Sequence, residues 1–276
     1  MFTLNCKGKL LVAESPLVMG IINITPDSFY EGHLGKTIEN ILQMAGAMLA
    51  DGADILDIGG QSTRPGSQRI TAGEELKRVV PAIEAINKNY PNAIISVDTY
   101  HSKVACEAVA AGAAIVNDIS AGAMDEKMLA AVAGLKVPYI AMHMQGTPET
   151  MQQSPQYDDA IKEVLDFFIQ KIDKCKKAGI NDIIIDPGFG FGKTTAHNFQ
   201  LLKNLRVFEM LGKPILVGLS RKATIYKTLG ITAAEALNGT TCLNTTALLN
   251  GASILRVHDV KEARQAVQLM HHYLKS

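Results

Sequence analysis

The chain has 276 residues, of which 47% are apolar, and its 27 lysines and arginines balance 27 acids to a formal net charge of zero. A chain of that size can bury a core without disulfide or metal staples, which excludes a disordered or fibrous protein. The neutral balance excludes the broad basic surface used against nucleic acid or an anionic membrane, although a few local donors can still hold a small anion.

A short hairpin turning at Lys7-Gly8-Lys9 is expected first. Eight apolar bursts follow: Val18–Ile24, Ile55–Ile58, Ile94–Val97, Ile115–Val116, Val137–Met142, Ile183–Ile185, Ile215–Val217 and Ile254–Val257. They are short and mostly apolar on both faces, as parallel strands covered by helices must be. Between them, Ile161, Leu165, Phe168, Ile169 and Ile172 form a helical stripe, and 101–111, 126–133, 197–211, 233–249 and 259–274 carry similar faces. Thr71 before Glu74 reads as a helix cap, and Gly52, Gly112, Gly134, Gly179 and Gly212 read as helix stops. Eight strand–helix units without a Pro/Gly/Ser-rich linker predict one domain over 1–276, a (βα)8 barrel of the TIM type. An open doubly wound sheet would call for a GxGxxG after the first strand, and Thr25-Pro26-Asp27-Ser28-Phe29 stands there instead.

The cysteines, Cys6, Cys106, Cys175 and Cys242, lie far apart, which fits inert thiols in a reducing compartment. There is no basic leader with an apolar run behind it and no apolar stretch of membrane-spanning length. A cytoplasmic location, without membrane or nucleic-acid partners, is expected.

Polar residues gather at the C-terminal ends of the strands: Asn23, Asp57, Asp98, Asn117, Met142-His143, Asp186, Ser220, and Arg256 with His258. In a barrel these ends share one face, where active sites lie. Each residue alone has a plain structural reading. Asp98 could cap the helix near His101, Lys222 could be a solvated lysine, and Arg256 could pair with Asp259 at the surface. As a set they would be half-buried polar groups in need of partners, which a planar polar ligand would supply. The loop Asp186-Pro187-Gly188-Phe189-Gly190-Phe191-Gly192-Lys193 can approach such a ligand closely, and it lacks the spacing of a Walker loop. Gly218-Leu219-Ser220-Arg221-Lys222 opens a helix whose N-terminus suits an anion, and Arg256 with His258 suits phosphate oxygens. The histidines show neither HxxxH nor HExxH spacing, which argues against a zinc hydrolase.

Several motifs in one order resemble the dihydropteroate synthase family over about residues 16–265. They are Met19-Gly20-Ile21-Ile22-Asn23-Ile24-Thr25-Pro26-Asp27-Ser28-Phe29, Asp57-Ile58-Gly59-Gly60-Gln61-Ser62-Thr63-Arg64-Pro65-Gly66, Ser96-Val97-Asp98-Thr99, and Asn117-Asp118-Ile119-Ser120. Met142-His143-Met144-Gln145-Gly146-Thr147-Pro148, the loop from Asp186 to Lys193, Ser220-Arg221-Lys222 and Arg256-Val257-His258-Asp259 complete the series. The resemblance implies a homodimeric barrel that joins 4-aminobenzoate to 6-hydroxymethyl-7,8-dihydropterin diphosphate, uses Mg2+ and is open to sulfonamide competition. It implies that Asp98, Asn117, Met142, Asp186, Lys222 and Arg256 bind the pterin, and that Asn23, Arg256 and His258 hold the diphosphate, with Asn23 at the Mg2+. Thr63, Arg64, Pro65, Phe191 and Ala223 would form the lid and aminobenzoate side. Asp98, Lys222, Arg256 and His258 would carry the chemistry, in which diphosphate leaves before the amine attacks.

Two positions depart from the family pattern: Gln61 stands where a glutamate is expected, and Ala223 where a hydroxyl residue is common. They leave aminobenzoate affinity and sulfonamide response open. Two other readings share the Asp/Asn pterin cluster: a methyltetrahydrofolate–corrinoid methyltransferase-like enzyme and a non-catalytic pterin-binding relative.

Overall fold

The computed structural model describes residues 1–24, 34–62, 67, 69–151 and 155–276. Strands β1 (Phe2–Cys6) and β2 (Lys9–Ala13) pair antiparallel in the expected hairpin. Lys7 (φ 54°) and Gly8 (φ 87°) both take positive φ, as a tight turn matched to strand twist requires.

The other strands are β3 (Leu17–Asn23), β4 (Ile55–Gly59), β5 (Ile94–Asp98), β6 (Ile115–Asp118), β7 (Tyr139–Met142), β8 (Ile183–Asp186), β9 (Leu216–Val217) and β10 (Ile254–Val257). They form one parallel sheet in the order β8-β7-β6-β5-β4-β3-β10-β9. A parallel bridge between Ile185 and Ile215 joins its two ends and closes the barrel. There the Ile185 N–H donates to the Pro214 carbonyl at 3.0 Å. Pro214 has no N–H to give back, and β9 is only two residues long.

The helices are α1 (Leu34–Ala50), α2 (Ala72–Asn89), α3 (Ser102–Ala111), α4 (Met128–Leu135), α5 (Ala160–Ala178), α6 (Thr195–Lys203), α7 (Ala223–Leu229), α8 (Leu237–Leu249) and α9 (Val260–Lys275). Thr71 and Glu74 form a reciprocal capping box on α2. Gly112 and Gly179 cap α3 and α5, whereas Gly134 lies inside α4, which ends at Lys136 (φ 55°). The helix expected over 197–211 divides at Asn204 into α6 and a 3-10 segment, Leu205–Leu211. The helix expected from 233 begins at Leu237. The carbonyls of Ala233 and Ala234 accept hydrogen bonds from the Arg221 guanidinium.

Alternation along each strand separates two environments. Val18, Ile22, Leu56, Ile58, Ile95, Val97, Val116 and Leu255 point outward and build the main core under the helices. Met19, Ile55, Ile115, Ile140, Ile184, Leu216 and Ile254 fill the lower interior, where Leu4, Cys6 and Ala13 of the hairpin pack against them. The hairpin is tied to that end by Asn5 N–H to Asp182 Oδ2 (2.7 Å), Lys7 Nζ to the Val109 carbonyl (2.6 Å) and Lys9 Nζ to the Pro91 carbonyl (2.5 Å). It therefore plugs the face opposite the polar strand ends.

Leu4 is 2% exposed at the centre of this plug. Leu4→Ala is expected to cost about 2–4 kcal/mol of stability in urea titration, with no change in the ligand-binding face.

Candidate functional site

One step above the apolar layer, the inward positions turn polar. Asp57, Asn117, Asp186 and Arg256 lie two residues beyond Ile55, Ile115, Ile184 and Ile254, and Asp98 lies two beyond Ser96. Asn23 and Asp98 flank Gly59 in register across β3, β4 and β5. The parallel ladder thus brings together residues up to two hundred positions apart in sequence.

Arg256 binds both Asp57 and Asp98. Its Nε lies 2.6 Å from Asp57 Oδ2 and its Nη2 lies 2.7 Å from Asp98 Oδ2. Asn117 Nδ2 donates to the same Asp57 oxygen at 3.0 Å. Asp57 is fully buried, and Asp98 and Asn117 nearly so. Arg256 therefore does not pair with Asp259 as the surface reading would have it. Arg221 takes Asp259 instead, with Nε and Nη2 at 2.9 and 2.8 Å from its two oxygens. Asp98 does not cap α3 either, since His101 is the N-cap and makes no side-chain cap bond.

Facing this cluster are Asp186 and Lys222. Asp186 Oδ1 accepts from the Gly188 N–H at 2.8 Å. The Lys222 ammonium donates to the Phe189 carbonyl and lies 4.7 Å from the centre of the Phe191 ring. Gly218 lies between it and Arg256: a Cβ there would stand at ordinary contact distance, 3.8 Å from Lys222 Nζ and 3.9 Å from Arg256 Cβ. Met142 is buried with Tyr100 and Ile119, and Phe191 packs on that group. His258 is exposed at the end of β10, with its Nδ1 3.0 Å from Ser220 Oγ. Ala223 is half-buried at the start of α7, a helix of seven residues. Thr63, Arg64 and Pro65 lie outside the described residues.

Burial governs the protonation of the site. It pushes Asp98 up to about 7, reinforced by Asp57, Asp118 and Asp186 and opposed by Arg256. Asp186 is also raised by burial, against Lys222 and the Gly188 N–H. Burial lowers Lys222 to about 8, with Arg256 beside it. Asp98 and Lys222 thus approach each other near neutral pH, where a bound ligand can shift either.

Several residues of the assembly have no role that the motifs alone assign. Asp57 heads a family motif, but its partner is evident only once strand alternation aligns it with Arg256. Lys193 is buried where it looked like a loop end, and burial lowers it to about 7. Glu75 on α2 is buried behind Asp98, accepts from Thr99 Oγ1 at 2.9 Å and is raised by burial to about 8. Gln61 is buried too. Its Nε2 donates to the Tyr100 hydroxyl at 2.5 Å and its Oε1 accepts from the Ile70 N–H at 3.2 Å. An ionised glutamate could accept from Ile70 but could not donate to Tyr100, which explains how an amide serves at this position.

Among the described residues no group of three His, Cys, Asp or Glu side chains is placed to hold a metal. One neutral oxygen donor, Asn23 Oδ1, lies beside the Asp98 carboxylate at Gly59: a Cβ there would stand 3.4 Å from it and 3.7 Å from Asp98 Oδ2. A single such oxygen fits Mg2+, which keeps its waters and takes most other ligands from substrate phosphates.

The sequence profile of the family described as "Pterin binding enzyme" matches residues 19–258. The dihydropteroate synthase of Escherichia coli (strain K12) is 42% identical over 266 residues, 96% of this chain and 94% of that protein. A Yersinia pestis dihydropteroate synthase solved as a sulfonamide drug complex superposes with a TM-score of 0.94 at 41% identity, covering 100% of both chains. The Xanthomonas albilineans enzyme in complex with 7,8-dihydropteroate gives 0.88 at 37% identity over 99% of each chain.

A carboxyl whose pKa is raised on folding holds a proton that the unfolded chain has lost, so stability falls as pH rises through that window. For Asp98 the window runs from its ordinary 3.8 to about 7, and for Glu75 from 4.5 to about 8. Lys193 and Lys222, lowered from 10.5 to about 7 and about 8, act above it with the opposite sign. The substrate-free protein should lose stability between about pH 5 and pH 7, and Asp98→Asn should flatten that limb by on the order of 2 kcal/mol in urea titrations.

Proposed function

The chain belongs to the pterin-binding enzyme family and carries the dihydropteroate synthase activity, and from that premise we propose how its own residues perform it. The reaction is a transfer in folate synthesis: 4-aminobenzoate displaces diphosphate from (7,8-dihydropterin-6-yl)methyl diphosphate to give 7,8-dihydropteroate. The observation that carries the assignment of residues is the Asp57–Arg256–Asp98 bridge facing Asp186 and Lys222 at the open end of the barrel.

Asp98, Asn117 and Asp186 read the pterin. Carboxylates accept paired hydrogen bonds from an amine and an adjacent ring N–H, and Asn117 offers a carbonyl while its amide is spent on Asp57. Lys222 donates to the ring, and Met142 packs against it. Arg256 is held by two carboxylates, so its plane is set before substrate arrives and covers one ring face. With the His258 side chain and Asn23 it faces the diphosphate. Asn23 would hold Mg2+, which when bound neutralises charge on the leaving group.

As diphosphate departs, positive charge spreads over the dihydropterin. Asp98 is already aimed at the ring and stabilises that charge without reorganising. Burial raises its pKa while the Arg256 guanidinium, 2.7 Å away, favours the carboxylate form. The aniline nitrogen then attacks the methylene cation, and the proton it sheds passes to the departed diphosphate, so no strong base from the protein is needed. Phe191 forms the aminobenzoate wall and the Ala223 N–H faces its carboxylate; a lid role for Thr63, Arg64 and Pro65, which lie outside the described residues, is part of the proposal. This division of labour favours the synthase over a methyltetrahydrofolate–corrinoid methyltransferase-like enzyme, which has little use for a diphosphate site of Arg256 and His258.

A homodimer is part of the proposal. Supporting it, Phe199, Met210, Leu229 and Leu249 are exposed apolar side chains on α6, the 3-10 segment, α7 and α8, a kind of surface residue that a second copy can cover. A cytoplasmic site of action is proposed as well. In its support, the four cysteines are free, and no described helix is long and apolar enough to cross a membrane.

Diphosphate release measured with each substrate omitted in turn should require both substrates and Mg2+. Asp98→Asn should lower kcat by at least about 100-fold while pterin diphosphate affinity falls less than about 10-fold; equal losses would reduce Asp98 to a binding group. Lys222→Ala should weaken pterin diphosphate binding about 10-fold or more by calorimetry. An unchanged affinity would return Lys222 to a structural role.

A further inference from the structure

Lys193 is a fully buried lysine that the reaction does not use. It is 2% exposed. Its Nζ lies 2.9 Å from His143 Nδ1, 3.0 Å from the Gly188 carbonyl, 3.0 Å from the Phe191 carbonyl and 3.3 Å from the His143 carbonyl. All three hydrogens of an ammonium can be satisfied there, and the acceptors come from the loop after β8 and from the residue that follows β7.

That loop has no regular structure of its own. Gly188, Gly190 and Gly192 take φ of 70°, 83° and 62°, and a Cβ on Gly188 would stand 1.9 Å from the His143 carbonyl oxygen. The backbone is therefore pressed onto the end of β7 and folded so that its carbonyls turn inward, where they need donors. Lys193 supplies them to Gly188 and Phe191 from below, and Lys222 supplies one to Phe189 from the site. Asn198 on α6 adds the acceptor for the Gly190 N–H at 2.8 Å. The histidine beneath is neutral: burial and the neighbouring lysine hold His143 down at about 2, which leaves Nδ1 as an acceptor.

We propose that Lys193 is a positioning residue for the aminobenzoate side of the site, gathering the carbonyls of the glycine loop so that the Phe191 ring is fixed against Lys222. The inference rests on the reading of Phe191 given above. It separates two halves of the pocket by what holds them. Asp98 and Asn117 stand on strands locked by the parallel ladder, and Asp186 ends one, so pterin recognition depends less on Lys193 than the placement of Phe191 does. Phe191 lies five residues past the last residue of β8 and depends on the loop.

The test uses the full-length enzyme and Lys193→Met, which keeps length and removes the donors. The KM for 4-aminobenzoate should rise at least about 5-fold, while the Kd of pterin diphosphate, measured by calorimetry without the second substrate, should change less than about 2-fold. If Lys193 acts through Phe191, adding Lys193→Met to Phe191→Ala should raise that KM by less than about 2-fold more. Should Lys193→Met not yield folded protein, Lys193→Gln, which retains two N–H donors on a shorter stem, is read in the same assays. An unchanged aminobenzoate KM, an equal loss of pterin affinity, full additivity with Phe191→Ala, or failure of both variants to fold would overturn the proposal and leave Lys193 a purely structural peg. Absence of turnover in the unmodified enzyme would instead overturn the underlying reading.

Discussion

The interaction on which the upper half of the barrel depends is the Arg256 guanidinium held between Asp57 and Asp98. One cation on β10 is bonded to carboxylates on β4 and β5, with β3 between them in the sheet. Removing it would leave two acids buried side by side at a large desolvation cost. Removing either acid would release the guanidinium plane. Asn117 adds a neutral donor to the same Asp57 oxygen, so β6 is drawn into the assembly as well. A planar fork with fixed donors suits this task where a lysine would not, because two acceptors on different strands must be met at once.

The cost of that arrangement shows in the titration of its neighbours. Asp98 and Asp186 are raised and Lys222 and Lys193 lowered, in every case mainly by burial. The acids and cations nearly cancel within the barrel mouth, as they do over the whole chain. A site built this way is poorly solvated when empty and gains from a ligand with donors for the acids and negative charge for the cations. The aminopyrimidinone edge of a pterin and its diphosphate tail have those two properties. The lower half of the barrel meets the cost with apolar filling, from the isoleucine layer down to the hairpin that seals the opposite end.

The loop following β8 shows a different solution to the same problem of buried polar groups. Glycines allow it to fold tightly, and tight folding turns carbonyls inward. Two lysines then satisfy them, one from within the protein and one from the substrate face. Gln61 solves a smaller case at the base of the β4 loop, using its donor on Tyr100 and its acceptor on Ile70.

The barrel and the identity of its working face were legible in the sequence because both follow from local pattern. Short apolar runs separated by helical stripes specify covered parallel strands, and closure sends every strand end to one side. The motifs from Asn23 to His258 belong to that side, and the family could be recognised from their order alone. Local pattern also marked the hairpin turn at Lys7-Gly8 and the cap at Thr71, which are decided within a few residues. Which polar residues bond to which was decided only by the tertiary structure. Arg256 could have taken Asp259, three residues away, and instead takes Asp57 and Asp98, because strand alternation turns its side chain into the barrel while Asp259 meets Arg221 outside. Lys193 and Glu75 carry no sign of burial in sequence, since a charged residue is buried only when distant segments supply its partners. Those partners exist only once the barrel has closed.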